Sequence, residues 1–527
     1  MTEANNMFSK YPGISFWRTA IILATAIATV SPLFSNKSNA QSPDKTATTP
    51  ARQIKINLDQ ATALAIPGRR ANLQPASFRT RDGRTGWVIR LPGNRPIATP
   101  AYADGMLFVG GGYGSYEFYA LDAQSGRVRW KIKTKDDGPT AAVVEDGYVA
   151  FNTESCTVFV VEARTGRLVW HEWLGDPLMS QPAISKGRLY IAHPAGQRGG
   201  NQLSQLQQPP AQQNQQSPPA PLGTTQDQWF THKLLCADLK TGRHIWEQPI
   251  PGDVITAPVV EGDRVYFTCF DGTSYCLQAS DGKLVWKEQN AGTSAPLVVG
   301  DQVMQTQKAV SNGKSYEGLT RADRHRGKNK DGDLLAKKEA GYLKENNGGG
   351  VGISQTSQTA MDASVGFSAA PSAANLAGAN SNVGVNTVAG AWAYQGSRIA
   401  YARGQMLNAQ GRFLNSLNAK DGKTTWQAEF SGDKLAPDAQ IFGPPSLGKE
   451  NMYLASPLGY LLAVSQQSGE RVFLYKLGKE MAFQPALVKG NIYVGTVDGL
   501  LICLRTGQAD ADGWYSWGGN AQHNKNH

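Results

Sequence analysis

Cysteine and histidine are scarce: the 527 residues hold five cysteines and seven histidines. No Cys-x-x-Cys-His occurs, which excludes a c-type haem attachment. The histidines (His171, His193, His232, His244, His325, His523 and His527) contain no pair at zinc-binding spacing. No G-x-S-x-G elbow marks a hydrolase nucleophile. Charged residues are only 18% of the chain, although the formal net charge is +10. No Lys/Arg run is dense enough, or interleaved with aromatics as a stacking platform requires, to bind nucleic acid. The charge reads as a solvated basic surface suited to an anionic envelope. Long apolar runs are also missing. The run at 20–30 is shorter than the roughly 20 residues a membrane span needs. Lys10 and Arg18 precede it and Ser38, Asn39 and Ala40 follow, so residues 1–40 read as a secretory signal peptide cleaved after Ala40. A retained N-terminal anchor is the alternative; after cleavage no transmembrane segment is expected.

What the chain does have is a repeat. Residues 254–286, VITAPVVEGDRVYFTCFDGTSYCLQASDGKLVW, alternate apolar and polar positions between turn signals, the pattern of four short antiparallel strands. The closing turn recurs as SGRVRW, TGRLVW, TGRHIW, DGKLVW and DGKTTW, ending at Trp130, Trp170, Trp246, Trp286 and Trp426. A weaker SGERVF ends at Phe473. Gly126, Gly166, Gly242, Gly282, Gly422 and Gly469 supply the turn, and each aromatic four residues later plugs the space between neighbouring sheets. A period near 40 residues predicts an all-β propeller of four-stranded blades. Gly83 and Trp87 form a fourth strand with no three before it, while residues 484–504 supply three strands with no fourth. The two ends therefore close one blade together. The count is seven blades, with eight as the alternative if WYSW at 514–517 pairs within the long insertion.

Residues 41–80 read as a polar linker with a short helix near 58–64, and 81–527 as the propeller. Two insertions interrupt it. Residues 196–228 are rich in Gln, Pro and Ser, and about 307–390 are charged, then rich in Gly, Ala, Ser and Asn; both are expected to be disordered, apart from a helix at 334–343.

With A-P-x-x-x-x-G-x-x-Y, D-G-x-x-Y-x-L and T-G-x-x-x-W in phase, the unit resembles the pyrroloquinoline-quinone-type repeat of the quinoprotein alcohol dehydrogenase-like propellers. The Gly-His and Trp-Asp signature of the commoner propeller repeat is missing. The resemblance implies the propeller fold; for activity it leaves two classes open. The dehydrogenases carry two adjacent cysteines, a calcium-binding Glu/Asn/Asp set and a catalytic Asp, none of which can be placed here. The chain looks closer to the non-enzymatic members, such as the lipoprotein of outer-membrane assembly, although no cysteine near the cleavage point provides for a lipid.

No catalytic, metal-binding or cofactor-binding residue is assigned. Cys236, Cys276 and Cys503 share one third-strand position that also takes Ala120 and Val160, so they read as small core residues. A disulfide between Cys269 and Cys276 demands a tight loop. Asn329, Asp331 and Asp333 imitate part of a calcium loop, but its first and twelfth positions fall on Gly327 and Lys338, which cannot serve. Asp122, Glu162 and Asp238, eight residues before their Trp, are expected to accept hydrogen bonds in the turn. The reading is an exported, monomeric, non-enzymatic propeller of the periplasm or cell envelope, without cofactor, that binds an envelope protein or surface ligand. The alternative is a periplasmic oxidoreductase of alcohols or sugars that uses pyrroloquinoline quinone with calcium.

Overall fold

Turn signals every eight to twelve residues divide the described residues into eight sheets, in seven of which four consecutive strands hydrogen-bond in sequence order. The computed structural model describes residues 50–525, except 68–70, 113–114, 136–137, 140, 154–156, 176–179, 196–231, 253, 255–256, 270–271, 290, 313, 340–397, 434 and 436–439. The expected signal peptide and most of both expected disordered stretches lie outside the described residues. Blades 1 to 7 span 101–133, 143–173, 183–250, 259–288, 297–339, 399–431 and 446–476. Blade 8 joins Ala486–Val488, Asn491–Gly495 and Leu500–Arg505 to Thr85–Arg90 from near the other end, with Trp87 opposite Cys503. The first strands of neighbouring blades lie side by side around a hub, and Ala486–Val488 returns to Ala101–Ala103. Blades 4 and 5 join through Tyr266, Trp286, Val298 and Ala322.

Burial follows position in the blade. The third strand of blade 1, Glu117–Asp122, is buried at its four central residues because a blade packs on each side. The outermost strand, Val128–Lys133, alternates half-buried and exposed. The outer aromatics lock blade to blade. The indole Nε1 of Trp87, Trp130, Trp170, Trp246, Trp286 and Trp426 each donates to a carbonyl of the next blade, at Ala123, Ala163, Leu239, Ala279, Arg324 and Gln466. Three residues beyond that carbonyl stands a glycine under the ring: a Cβ on Gly126 would lie 2.7 Å from Trp87. Gly166, Gly242, Gly282 and Gly469 meet Trp130, Trp170, Trp246 and Trp426 in the same way. Gly83 opens the last turn at φ +86°, and its neighbour Arg84 lies over the Phe473 ring.

The expected count of seven blades is corrected to eight. The additional blade, 297–339, lies partly inside the stretch expected to be disordered. Leu335–Glu339 is its outermost strand, where a helix was expected. Gly327 is its turn glycine, set against Trp286, and Leu335 replaces the aromatic against Gly422. The strands at the two ends of the insertion thus belong to different blades. The WYSW segment at 514–517 is not part of this blade; it lies at the hub, described below.

Part of the expected linker is also ordered. Arg52–Asn57 adds in parallel to the outer edge of blade 6, and Thr62–Ala63 to that of blade 7. Ala76–Arg79 adds antiparallel to blade 8. A 3-10 turn at Leu58–Gln60 stands where a short helix was expected, and Ile56, Leu58 and Leu64 are buried. Among the described residues no α-helix occurs, and no helix is long and apolar enough to cross a membrane.

Candidate functional site

The hub is where a propeller offers a site to all its blades at once, and here residues 510–525 fill it. Residues 510–525 follow the first strands around the ring. The Asp510 carbonyl accepts from the Lys449 amide of blade 7 (3.0 Å), Trp514 from Leu487 of blade 8 (2.7 Å), and Tyr515 from Tyr102 of blade 1 (2.7 Å). Gln522 donates to the Glu145 carboxylate of blade 2 (3.0 Å). The Ala521 carbonyl accepts from Ile184 of blade 3 (2.8 Å) and that of Gln522 from Val260 of blade 4 (3.0 Å). Asn524 exchanges two hydrogen bonds with the backbone of Val298 in blade 5 (2.8 and 3.0 Å). Seven blades are tied to one segment.

Trp517 is the centre of this plug, fully buried against Ala141 and Ala257. His523 stacks on it at 3.7 Å between ring centroids. The His523 Nε2 lies 2.8 Å from the Pro182 carbonyl and Nδ1 3.3 Å from that of Trp517. Burial pushes the imidazole down to about 4, against two carbonyls that favour its proton. The ring is therefore neutral near pH 7, and the shorter contact places its one proton on Nε2. Below about pH 6.5 the unfolded chain takes up a proton that the folded hub refuses until about pH 4. Stability should fall as pH drops through that window, by roughly 3 kcal/mol from this residue. Burial likewise pushes His232 down to about 4, so His523→Gln should shrink the fall without abolishing it. Urea midpoints at pH 7.5 and 4.5 check this; an unchanged difference in the variant would mean that the hub histidine does not titrate as its burial requires.

Two further polar groupings escape sequence spacing. In blade 3, Glu247 lies 2.8 Å from Lys233 Nζ and 3.2 Å from His244 Nδ1, and His193 Nε2 is 3.8 Å away. His244 Nε2 also contacts Glu172 of blade 2 at 2.8 Å. Burial holds His193 below its usual range. Between blades 4, 5 and 6 runs a buried polar seam. Gln305 accepts from Ser274 (3.1 Å), Thr293 meets Thr306 (2.9 Å), and Glu317 accepts from Thr293 (3.2 Å) and pairs with Arg398 (2.5 Å). Both members of that ion pair are buried. The residues of this seam carry no repeat signal, and Glu317 sits in the stretch expected to be disordered. Among the described residues no group of three His, Cys, Asp or Glu is arranged to hold a metal.

The residues named from the repeat pack between blades. Asp122 accepts from the Ser125 amide (2.8 Å), Asp238 from that of Thr241 (2.9 Å), and Glu162 from the Thr165 hydroxyl (2.7 Å). Cys236, Cys276 and Cys503 are free and buried, each opposite a tyrosine (Tyr190, Tyr266 and Tyr493) on the second strand. Burial raises the three thiols to about 11, 11 and 12. No disulfide joins Cys269 to Cys276. The calcium-like stretch is built around an ion pair: Asp331 holds Arg321 at 2.5 Å, and Arg321 donates to the Ala419 carbonyl of blade 6 (2.8 Å).

The family model described as outer membrane protein assembly factor BamB, a model of the quinone-type repeat, matches residues 76–203 and 197–343. The outer membrane protein assembly factor BamB of Nitrosomonas eutropha is 22% identical over 239 residues, 40% of this chain and 56% of that protein. The tetrathionate hydrolase of Acidithiobacillus ferrooxidans is 23% identical over 150 residues, 28% of each chain. The chain thus spans about half, or less, of the length of these curated relatives. The crystal structure of BamB from Moraxella catarrhalis superposes with a TM-score of 0.46 at 11% identity, covering 82% of this chain and 98% of that one.

Proposed function

Because the chain belongs to the family described as outer membrane protein assembly factor BamB, we propose that it is a non-enzymatic scaffold of the cell envelope whose outer surfaces and loops hold a protein of outer-membrane assembly. The observation that carries this reading is the filled hub. A small-molecule site needs a cavity with convergent polar groups, and here Trp517 and His523 are buried in the segment to which seven blades are tied. The repeat positions are spent on interblade packing, and the thiols are buried. Export to the envelope is part of the same proposal, as is the absence of a cofactor.

Two measurements on the full chain test it. Photo-crosslinking from surface positions in cells should capture a defined component of the outer-membrane assembly machinery. Titration with pyrroloquinoline quinone and calcium should give neither stoichiometric absorbance change nor dye-linked oxidation of alcohols or sugars. Tight quinone binding with turnover would overturn the scaffold reading in favour of an oxidoreductase.

A further inference from the structure

The outermost strand of blade 1 differs in charge from the other outer strands. Around Val128–Lys133 the residues Arg127, Arg129, Lys131, Lys133 and Lys135 occupy every second position, and all five are exposed. Arg129, Lys131 and Lys133 lie on the exposed face of the strand, and Arg127 and Lys135 flank it. Arg129 pairs with Asp122 and Lys131 with Glu117, both within the blade. Arg127 and Lys135 have no ion pair among the described residues. The outer strand of blade 2 exposes Leu168, His171 and Trp173 instead, and that of blade 4 exposes Leu284, Val285 and Lys287.

This cationic ridge borders an open sheet edge. Among the described residues nothing pairs with the far side of Val128–Lys133. The molecule itself shows what such an edge accepts: blades 6, 7 and 8 each carry an added strand from the N-terminal segment. On blade 6 the added strand brings Ile54 beside Trp426 and Gly469, and Trp426 is only 2% exposed. Trp130, the equivalent ring at the bare edge of blade 1, remains half-buried. At the end of the ridge a cleft of about 510 Å³ is lined by three cations, Arg95, Lys133 and Lys135, by the exposed Tyr116 and by one carboxylate, Glu117, which Lys131 pairs.

We propose that this edge takes an extended acidic segment of a partner protein as a fifth strand. The proposal rests on the scaffold reading and names the chemistry of what the scaffold holds. Side chains of an added strand alternate between its two faces. Acidic residues at every second position lie along the basic ridge, and the apolar residues between them cover Val128, Trp130 and Ile132. The last acidic group enters the cleft. Main-chain hydrogen bonds supply affinity and the charges supply selection, as in strand addition generally. A lipid surface would meet the same charges without using the backbone edge, and that distinguishes the two.

The probe is a fluorescein-labelled nine-residue peptide of alternating Glu and Val, followed by anisotropy on the full chain. Binding should weaken at least tenfold in R127E/K133E/K135E, whose side chains are exposed, with Tm unchanged. On the native protein, the same peptide N-methylated at alternate residues, so that it cannot pair with an edge, should bind at least tenfold more weakly. Amide exchange should slow in Val128–Lys133 on binding of the unmethylated peptide. Equal binding of the two peptides would overturn strand addition. So would a ridge that holds phosphatidylglycerol vesicles and ignores the peptide. If the triple variant fails to bind peptide yet is still crosslinked to an assembly component as the parent is, this edge is wrong while the scaffold reading stands. If crosslinking fails in the parent too, the scaffold reading is the one that falls.

Discussion

Deleting residues 50–91 is expected to abolish cooperative folding of the propeller. The cut removes Thr85–Arg90, whose six residues pair in register with Leu500–Arg505, and leaves that strand as a raw edge. It also removes Trp87, which is 2% exposed, donates to the Ala123 carbonyl at 3.1 Å and covers Gly126 of blade 1. Replacing a buried Trp by Ala alone costs about 3–5 kcal/mol, comparable with a large part of the 5–15 kcal/mol that holds a typical domain folded. The ring opens between blades 8 and 1. A shorter deletion, 50–75, keeps the closing strand and removes only the strands added to blades 6 and 7. It exposes the sites of Ile56, Leu58 and Leu64, at about 2 kcal/mol each, so it should lower Tm while leaving one sharp transition. Calorimetry of the two truncations decides. Equal melting temperatures would mean that blade 8 does not close the ring through Trp87.

The second large effect is expected at the hub. Trp517→Ala should cost about 3–5 kcal/mol, because a fully buried ring is lost and a cavity is left among Ala141, Ala257 and His523. Truncation after residue 509 should do more, since it also unties seven blades from a common segment. Urea unfolding of both variants, with limited proteolysis of the truncated chain, provides the measurement. A truncated chain with the parent's midpoint would show that the tail decorates the ring without supporting it.

Most of the fold could be read from a turn glycine and an aromatic four residues apart, and blade 5 shows where that reading fails. Asp323 and Gly327 keep the four-residue spacing of Asp122 and Gly126, and the Gly327 amide donates to the Asp323 carbonyl at the same 2.8 Å. The plug, however, is Leu335, eight residues on. The intervening residues include Asp331, which neutralises the buried Arg321. A charged loop thus hides a packed blade, because one pair of its charges, Arg321 and Asp331, is buried while others stay exposed. The N-terminal strands were legible only as Ile54 and Ile56 in RQIKIN, too short an alternation to outweigh the polar composition around it. The cysteines were legible because position in the repeat fixes burial, whatever small side chain stands there. The hub was not. Residues 510–525 have no periodicity, and most of their bonds to the blades run through backbone groups or a single side chain at each blade.

The closing blade also sets a schedule. The strand that carries Trp87 is synthesised long before its partner, Leu500–Arg505, and the segment that enters the hub follows that partner. No earlier length of chain contains both halves of blade 8. Middle blades can form pairwise as they emerge, but each such stack presents unpaired faces until the last blade is complete. Ring closure is therefore a late event that joins the ends of the longest loop the molecule contains. A chain halted before residue 500 remains an open stack with exposed apolar faces, which makes it a natural substrate for chaperones and proteases.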